Sequence, residues 1–153
     1  KRQFKDTTNH TLSIKWPNDI YLDNKKVSGI LIESQSSGKD IFLSLGIGIN
    51  INIEESLNVN QPHSNLGMNI DHIKLIYLFC NNLVDFLNTK KYDEHVKEYN
   101  VNLLAINKSV SVTVDNITHE GILLGISDHG KLMINTGNNV LTINDINSTF
   151  RVI

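Results

Sequence analysis

Ile41-Phe42-Leu43-Ser44-Leu45-Gly46-Ile47-Gly48-Ile49-Asn50-Ile51-Asn52-Ile53 is the most regular stretch of the chain. Every odd position is aliphatic, while the even positions pass from Phe42 and Ser44 to two glycines and then two asparagines. Side chains alternate faces along a strand, so a strand here has one aliphatic face and one face bare in its middle. Glycine weakens a strand interior; it is kept where a bulge bends the strand or where a ligand or another backbone comes close. On pattern alone both readings stand for Gly46 and Gly48. In the second, the glycines floor a ligand site and Asn50 and Asn52 supply amides at its edge.

Upstream, residues 19–22 and 27–33 are short apolar-rich runs separated by Asp23-Asn24-Lys25-Lys26, whose Asp and Asn tolerate left-handed backbone. With 41–53 they predict a β-meander. Residues 54–70 lose periodicity and contain Pro62 and Gly67, which predicts a connecting loop. From Asp71, a plausible N-cap, apolar residues recur at helical spacing: Ile73, Ile76, Tyr77, Cys80, Leu83, Val84 and Leu87. Cys80 lies in that stripe and is expected to be a buried structural thiol. Lys90 and Lys91 suit the negative end of this helix. A shorter helix is predicted over 92–100, with Tyr92, Val96 and Tyr99 inward.

After Leu104 come five short runs, 109–114, 117–126, 131–135, 140–144 and 149–153. Asp115-Asn116, Asp128-His129-Gly130 and Thr136-Gly137-Asn138-Asn139 divide them as turns. This pattern predicts a small SH3-like β-barrel that docks on the preceding domain, since alone it buries little apolar area. The expected domains are residues 1–103 and 104–153.

The 153 residues are 40% hydrophobic and 20% charged, which excludes a disordered or fibrous chain. A net charge of -2 and a pI of about 6.3 argue against nucleic acid as a partner. No apolar run approaches the ~20 residues that span a bilayer, so no membrane partner is expected. Residues 1–9 carry no secretion signal, and the lone Cys80 forms no internal disulfide, so a cytoplasmic location is expected. The chain opens at Lys1 rather than Met, which suggests a piece of a longer protein.

The six histidines show no metal-ligand spacing, and no Walker loop or nucleophile elbow occurs. Gly46-Ile47-Gly48 lacks the third glycine of a dinucleotide fingerprint. Lys15-Trp16-Pro17-Asn18-Asp19 followed by Lys26 is more informative. Pro17 keeps Trp16 extended and interrupts a ladder, so Asn18 and Asp19 emerge at a strand junction. An amide, a carboxylate and a nearby lysine are parts of a nucleotide site: Asp helps hold Mg²⁺, and Lys meets phosphate. The same residues also make a plain turn and a solvated hairpin tip.

Three strings together resemble the bacterial biotin–protein ligases. They are Lys15-Trp16-Pro17-Asn18-Asp19, Lys26-Val27-Ser28-Gly29-Ile30-Leu31-Ile32-Glu33, and Leu45-Gly46-Ile47-Gly48-Ile49-Asn50-Ile51-Asn52. The resemblance continues into Gly121-Ile122-Leu123-Leu124-Gly125-Ile126 and Gly130-Lys131-Leu132, similar to the family's small C-terminal barrel. It implies an α+β fold: a mixed β-sheet with helices on one side, the class II synthetase-like biotin/lipoate ligase fold in part, followed by the SH3-like barrel. It also implies a two-step ligase. Biotin and ATP with Mg²⁺ give biotinyl-5′-AMP, and a lysine of a biotin carboxyl carrier protein then accepts the biotin.

By that resemblance Lys26 is the catalytic lysine and contacts biotin and nucleotide alike. Gly29, Ile30, Leu31, Gly46 and Gly48 belong to the biotin pocket, Asn18 and Asn50 to the nucleotide site, and Asp19 to the phosphates and metal. Strict alternation puts Lys26 and Gly29 on opposite faces, and a local bulge would reconcile them. The family's glycine- and arginine-rich loop and its ureido-binding residues should precede Ser13 and are not in this sequence. The chain therefore resembles the C-terminal portion of a ligase, incomplete alone, with the N-terminal half of the ligase as a partner and a homodimer as a candidate assembly. Asp145 and Arg151 are spaced more widely than the family's acidic-x-x-x-Arg ending, which puts a nucleotide contact from Arg151 in doubt. A lipoate or octanoyl transfer enzyme and a noncatalytic binding fragment are the alternatives.

Overall fold

The computed structural model describes residues 11–52, 65–66, 71–89, 91–144 and 148–153. They fall into two compact units, Lys1–Ile70 and Asp71–Ile153. The first is built from β1 (Leu12–Lys15), β2 (Asp19–Leu22), β3 (Lys25–Ser37) and β4 (Asp40–Ile49). These lie side by side in chain order as an antiparallel meander. Asp23 and Asn24 make the β2–β3 turn at φ 48° and 65°. That left-handed pair is the geometry a two-residue hairpin selects for, as the Asp-Asn dipeptide foretold. Trp16, Leu22 and Val27 form the small core of this unit.

β3 runs to Ser37, past its expected end at residue 33, because every residue from Ser28 to Ser37 has a cross-strand partner on β4. Polar Ser34-Gln35-Ser36-Ser37 is thus a strand by pairing rather than by propensity. β4 stops at Ile49, short of the expected 53, although Asn50 N still donates to Val27 O at 2.8 Å. Ile53 and most of the expected loop lie outside the described residues. The β3–β4 register is continuous from Ser28↔Ile49 to Ser37↔Asp40, and neither Gly46 nor Gly48 has positive φ. The bulge reading of these glycines is therefore overturned. The bulge lies elsewhere: between β2 and β3 the pairs Tyr21↔Lys26 and Ile20↔Ser28 leave Val27 outside the ladder.

The second unit contains α1 (His72–Asn88), α2 (Tyr92–Asn102), β5 (Ser109–Val114), β6 (Ile117–Ile126), β7 (Leu132–Asn135), β8 (Val140–Ile143) and β9 (Thr149–Val152). Asp71 caps α1 as expected, accepting from Ile73 N at 2.9 Å and Lys74 N at 3.2 Å. Lys91 does not serve the end of α1; it bonds Glu94 at 3.0 Å in the first turn of α2. Lys90 lies outside the described residues. Burial along α1 also differs from expectation: no residue of α1 is buried, Ile73 is 79% exposed, and Cys80 is an exposed free thiol. Tyr92 is exposed as well, whereas Val96 and Tyr99 are half-buried. Periodicity tells which residues share a face; burial needs a second surface laid against it. No helix among the described residues is long and apolar enough to cross a membrane.

The five strands of this unit form an antiparallel sheet in the order β8-β7-β6-β5-β9, with Val110, Val112, Leu123, Leu132, Ile134, Ile143 and Phe150 buried in its core. This β-sheet domain is consistent with the expected SH3-like barrel, and the α+β class holds. All pairings between described strands are antiparallel. Asn100 joins α2 to β6, accepting from Ile126 N at 2.7 Å and donating to Ile126 O at 3.1 Å. Beside it Gly125 has φ +127°, and a Cβ there would stand 2.6 Å from Asn100 Oδ1. That clasp ties α2 to the second sheet, within the same compact unit.

Candidate active site

The bulge at Val27 decides which side chains share a face. Cross-strand partners point the same way, so Lys15↔Asp19, Asp19↔Gly29 and Tyr21↔Lys26 place Lys15, Asp19, Tyr21, Lys26 and Gly29 together. The anticipated conflict between Lys26 and Gly29 is resolved by the extra residue. Lys26 Nζ lies 2.6 Å from Asp19 Oδ1, and the pair is only partly open to solvent, at 35% and 19%. A Cβ at position 29 would stand 3.3 Å from Asp19 Oδ1 and 3.4 Å from Lys26 Nζ. Glycine there leaves the ion pair its room.

The same face continues onto β4 through Gly29↔Gly48 and Leu31↔Gly46. A Cβ at Gly48 would meet nothing within 4 Å, and one at Gly46 would make ordinary contact with Leu31 at 3.8 Å. Neither glycine is required by φ or by packing among the described residues, which leaves a flat strip of backbone beside the Lys26 ammonium. Such a strip with the Lys26 ammonium at its end suits a flat apolar ligand that carries a carboxylate. The reverse face is aliphatic, with pairs Ile30↔Ile47 and Ile32↔Leu45. Ile30 therefore points away from the other residues expected to line the pocket.

Asn50 follows β4 directly and is anchored at the bulge, its N–H donating to Val27 O and its carbonyl accepting from Leu66 N at 3.0 Å. This brings one nucleotide-site candidate next to Lys26. Asn18, the other, donates its side-chain amide to Ile30 O at 2.7 Å. Arg151 lies on β9, opposite Ser111, in the second unit, and Asp145 is outside the described residues. Two residues of the site had no role assigned from sequence: Lys15, whose Nζ sits 5.7 Å from the Tyr21 ring centroid, and Tyr21 itself. The hairpin register of residues 12–22 is the signal that would have found them.

The metal expectation, Asp19 with Mg²⁺ held through phosphates, calls for no protein cage. Asp19 Oδ1 already holds Lys26, and among the described residues no group of three or more His, Cys, Asp or Glu could hold a metal ion. Mg²⁺ would meet Asp19 here only together with bound phosphates.

Residues 2–50 match the model of the Biotin/lipoate A/B protein ligase family, and residues 105–148 match the Biotin protein ligase C terminal domain. Each compact unit therefore carries a stretch similar to biotin protein ligases. It is 29% identical over 130 residues to the bifunctional ligase/repressor BirA of Escherichia coli (strain K12), covering 79% of this chain and 40% of BirA. The apo structure of biotin protein ligase from Aquifex aeolicus matches with TM-score 0.79 at 27% identity, over 93% of this chain and 66% of that one. The Aquifex ligase in complex with biotin and ATP matches with the same score and identity, over 93% of this chain and 62% of that one. A biotin protein ligase-like protein of unknown function from Silicibacter sp. shares the fold, with TM-score 0.63 at 8% identity. The chain thus spans 40% of BirA and just under two-thirds of the solved Aquifex ligases.

Proposed function

We propose that the full-length protein is an ATP-dependent biotin–protein ligase, and that the glycine face of β3 and β4 carries the biotin end of its site. In the first step a biotin carboxylate oxygen attacks the α-phosphorus of ATP and pyrophosphate leaves, giving biotinyl-5′-AMP. In the second, the neutral amine of a carrier lysine attacks the acyl carbon, AMP leaves, and the amine loses a proton. The carrier is a biotin carboxyl carrier domain. Mg²⁺ enters with ATP as part of the substrate, and no step here runs through a protein-held metal.

The observation that carries this reading is the Lys26 ammonium standing beside Gly29, on the face that Gly46 and Gly48 leave bare. Two anions, carboxylate and α-phosphate, must approach each other, and a fixed cation offsets their repulsion where it is greatest. Asp19 holds that cation in the site, Gly29, Leu31, Gly46 and Gly48 form the floor, and Asn50 lies at the nucleotide edge. Ile30 contributes from the reverse face, as support rather than lining. The match of residues 105–148 to the Biotin protein ligase C terminal domain favours biotin over lipoate. In this reading the catalytic part extends through the helices to residue 103, and residues 104–153 form the accessory barrel.

Biotin-dependent pyrophosphate release, followed by transfer of labelled biotin to a carrier domain, tests the reading. Release that requires biotin and transfer that requires the carrier are expected. Turnover with lipoate or octanoate and none with biotin would overturn it.

A further inference from the structure

Asn18 stands immediately before β2 and makes a reciprocal pair of bonds with Ile30. Ile30 N donates to Asn18 O at 2.9 Å, and Asn18 Nδ2 donates to Ile30 O at 2.7 Å. In an antiparallel ladder, hydrogen-bonded partners exchange two backbone bonds. Here the side-chain amide supplies the return bond, so Asn18 lengthens the ladder one step beyond Asp19↔Gly29. Pro17 has no N–H to extend it further. The result is a bracket. On one side of the Asp19↔Gly29 and Ile20↔Ser28 pairs lies the Val27 bulge; on the other lies the Asn18–Ile30 clasp.

The bracket encloses the charge pair. Asp19 is the first residue of β2, where a hairpin end would otherwise fray, and fraying would carry its carboxylate away from Lys26. One N–H of the Asn18 amide is committed to a strand carbonyl, which is the role of a clamp and not of a group turned outward to read a base. We propose that Asn18 is a positioning residue: through Ile30 it holds Asp19 against Lys26, and it is not a ligand of the nucleotide. The kinetic part of this inference rests on the ligase reading; the structural part does not.

Asn18→Ala and Asn18→Asp in the full-length protein test it, the second keeping the size while replacing the donor with an acceptor. Amide exchange at Ile30 should accelerate by about tenfold in both variants, while exchange in the sheet of β5 to β9 stays unchanged as a control of folding. The Lys26 ammonium should lose its paired signal in ¹⁵N spectra. Single-turnover adenylation at saturating ATP should fall about tenfold, with KM for ATP within about twofold of the parent. A KM for ATP raised about tenfold, with unchanged saturated rate and unchanged Ile30 exchange, would make Asn18 a nucleotide ligand and overturn the proposal. Were the parent protein unable to adenylate biotin, the ligase reading would fall alone. Ile30 exchange and the Lys26 signal would then still decide for or against the clamp.

Discussion

Leu31 stands directly opposite Gly46, close enough to touch a Cβ there and far enough not to clash with it. Position 46 can therefore hold a larger residue as far as the sheet is concerned, and in the proposed reading its glycine answers to what approaches from outside.

Gly46→Val should leave the melting temperature unchanged or slightly raised, since valine suits strands and gains a cross-strand neighbour in Leu31. Biotin affinity should fall by about thirtyfold or more, equivalent to ~2 kcal/mol. Calorimetric titration and thermal melting of the same variant separate these effects; a lowered melt with normal affinity contradicts the floor.

Lys26→Ala should slow single-turnover adenylation by about 10²–10³, the loss expected for one charge-stabilising contact worth roughly 2–4 kcal/mol. Lys26→Arg should rescue it poorly, because the planar guanidinium does not fit a slot shaped for a compact ammonium. Asp19→Asn should fall between the two, with stability nearly unaltered, since partly exposed ion pairs stabilise folds by only ~0–1 kcal/mol. An unchanged adenylation rate for Lys26→Ala would return this lysine to the solvated hairpin tip.

Gly125→Ala should destabilise the second unit by roughly 2 kcal/mol, from a Cβ pressed on Asn100 and a backbone angle that side chains avoid. Pairing it with Asn100→Ala should remove the clash and leave the angular strain. The double variant should therefore melt higher than the sum of the single losses, a non-additivity that thermal denaturation reads directly.

Burial pushes the Tyr99 hydroxyl well above its ordinary pKa of 10.0. Below that value both the folded and unfolded chains keep the proton, and the shift has no effect on stability. At higher pH the unfolded chain ionises first, so stability should fall as pH rises past about 10. Tyr99→Phe should flatten that decline in melts taken between about pH 9 and 11.

Much of the first unit could be read in advance because its signals are local. The alternation over 41–49 set the two faces of β4, and Asp23-Asn24 set a left-handed turn. Non-local features were harder. The strand character of Ser34 to Ser37 comes from β4 and not from its own residues. The bulge was inferred from a conflict between Lys26 and Gly29, but its place at Val27 is fixed by the β2 ladder. The motif marks Asn18 as a nucleotide-site residue, but its bond to Ile30 reaches twelve residues along the chain and leaves no trace in spacing. Cys80 and Tyr92 failed for another reason: an apolar stripe records a face and not its cover.

The extra residue at Val27 also changes how the gene can vary. Substitution at 27 or 28 alters a side chain and leaves the direction of its neighbours intact. Removing one codon between Lys26 and Gly29 brings them to a spacing of two, where plain alternation still keeps both on one face; what goes is Val27 itself, a core residue whose carbonyl anchors Asn50. The extra codon thus adds a buried side chain and an anchoring carbonyl without turning the lysine, so its loss tells on folding before it tells on the direction of Lys26.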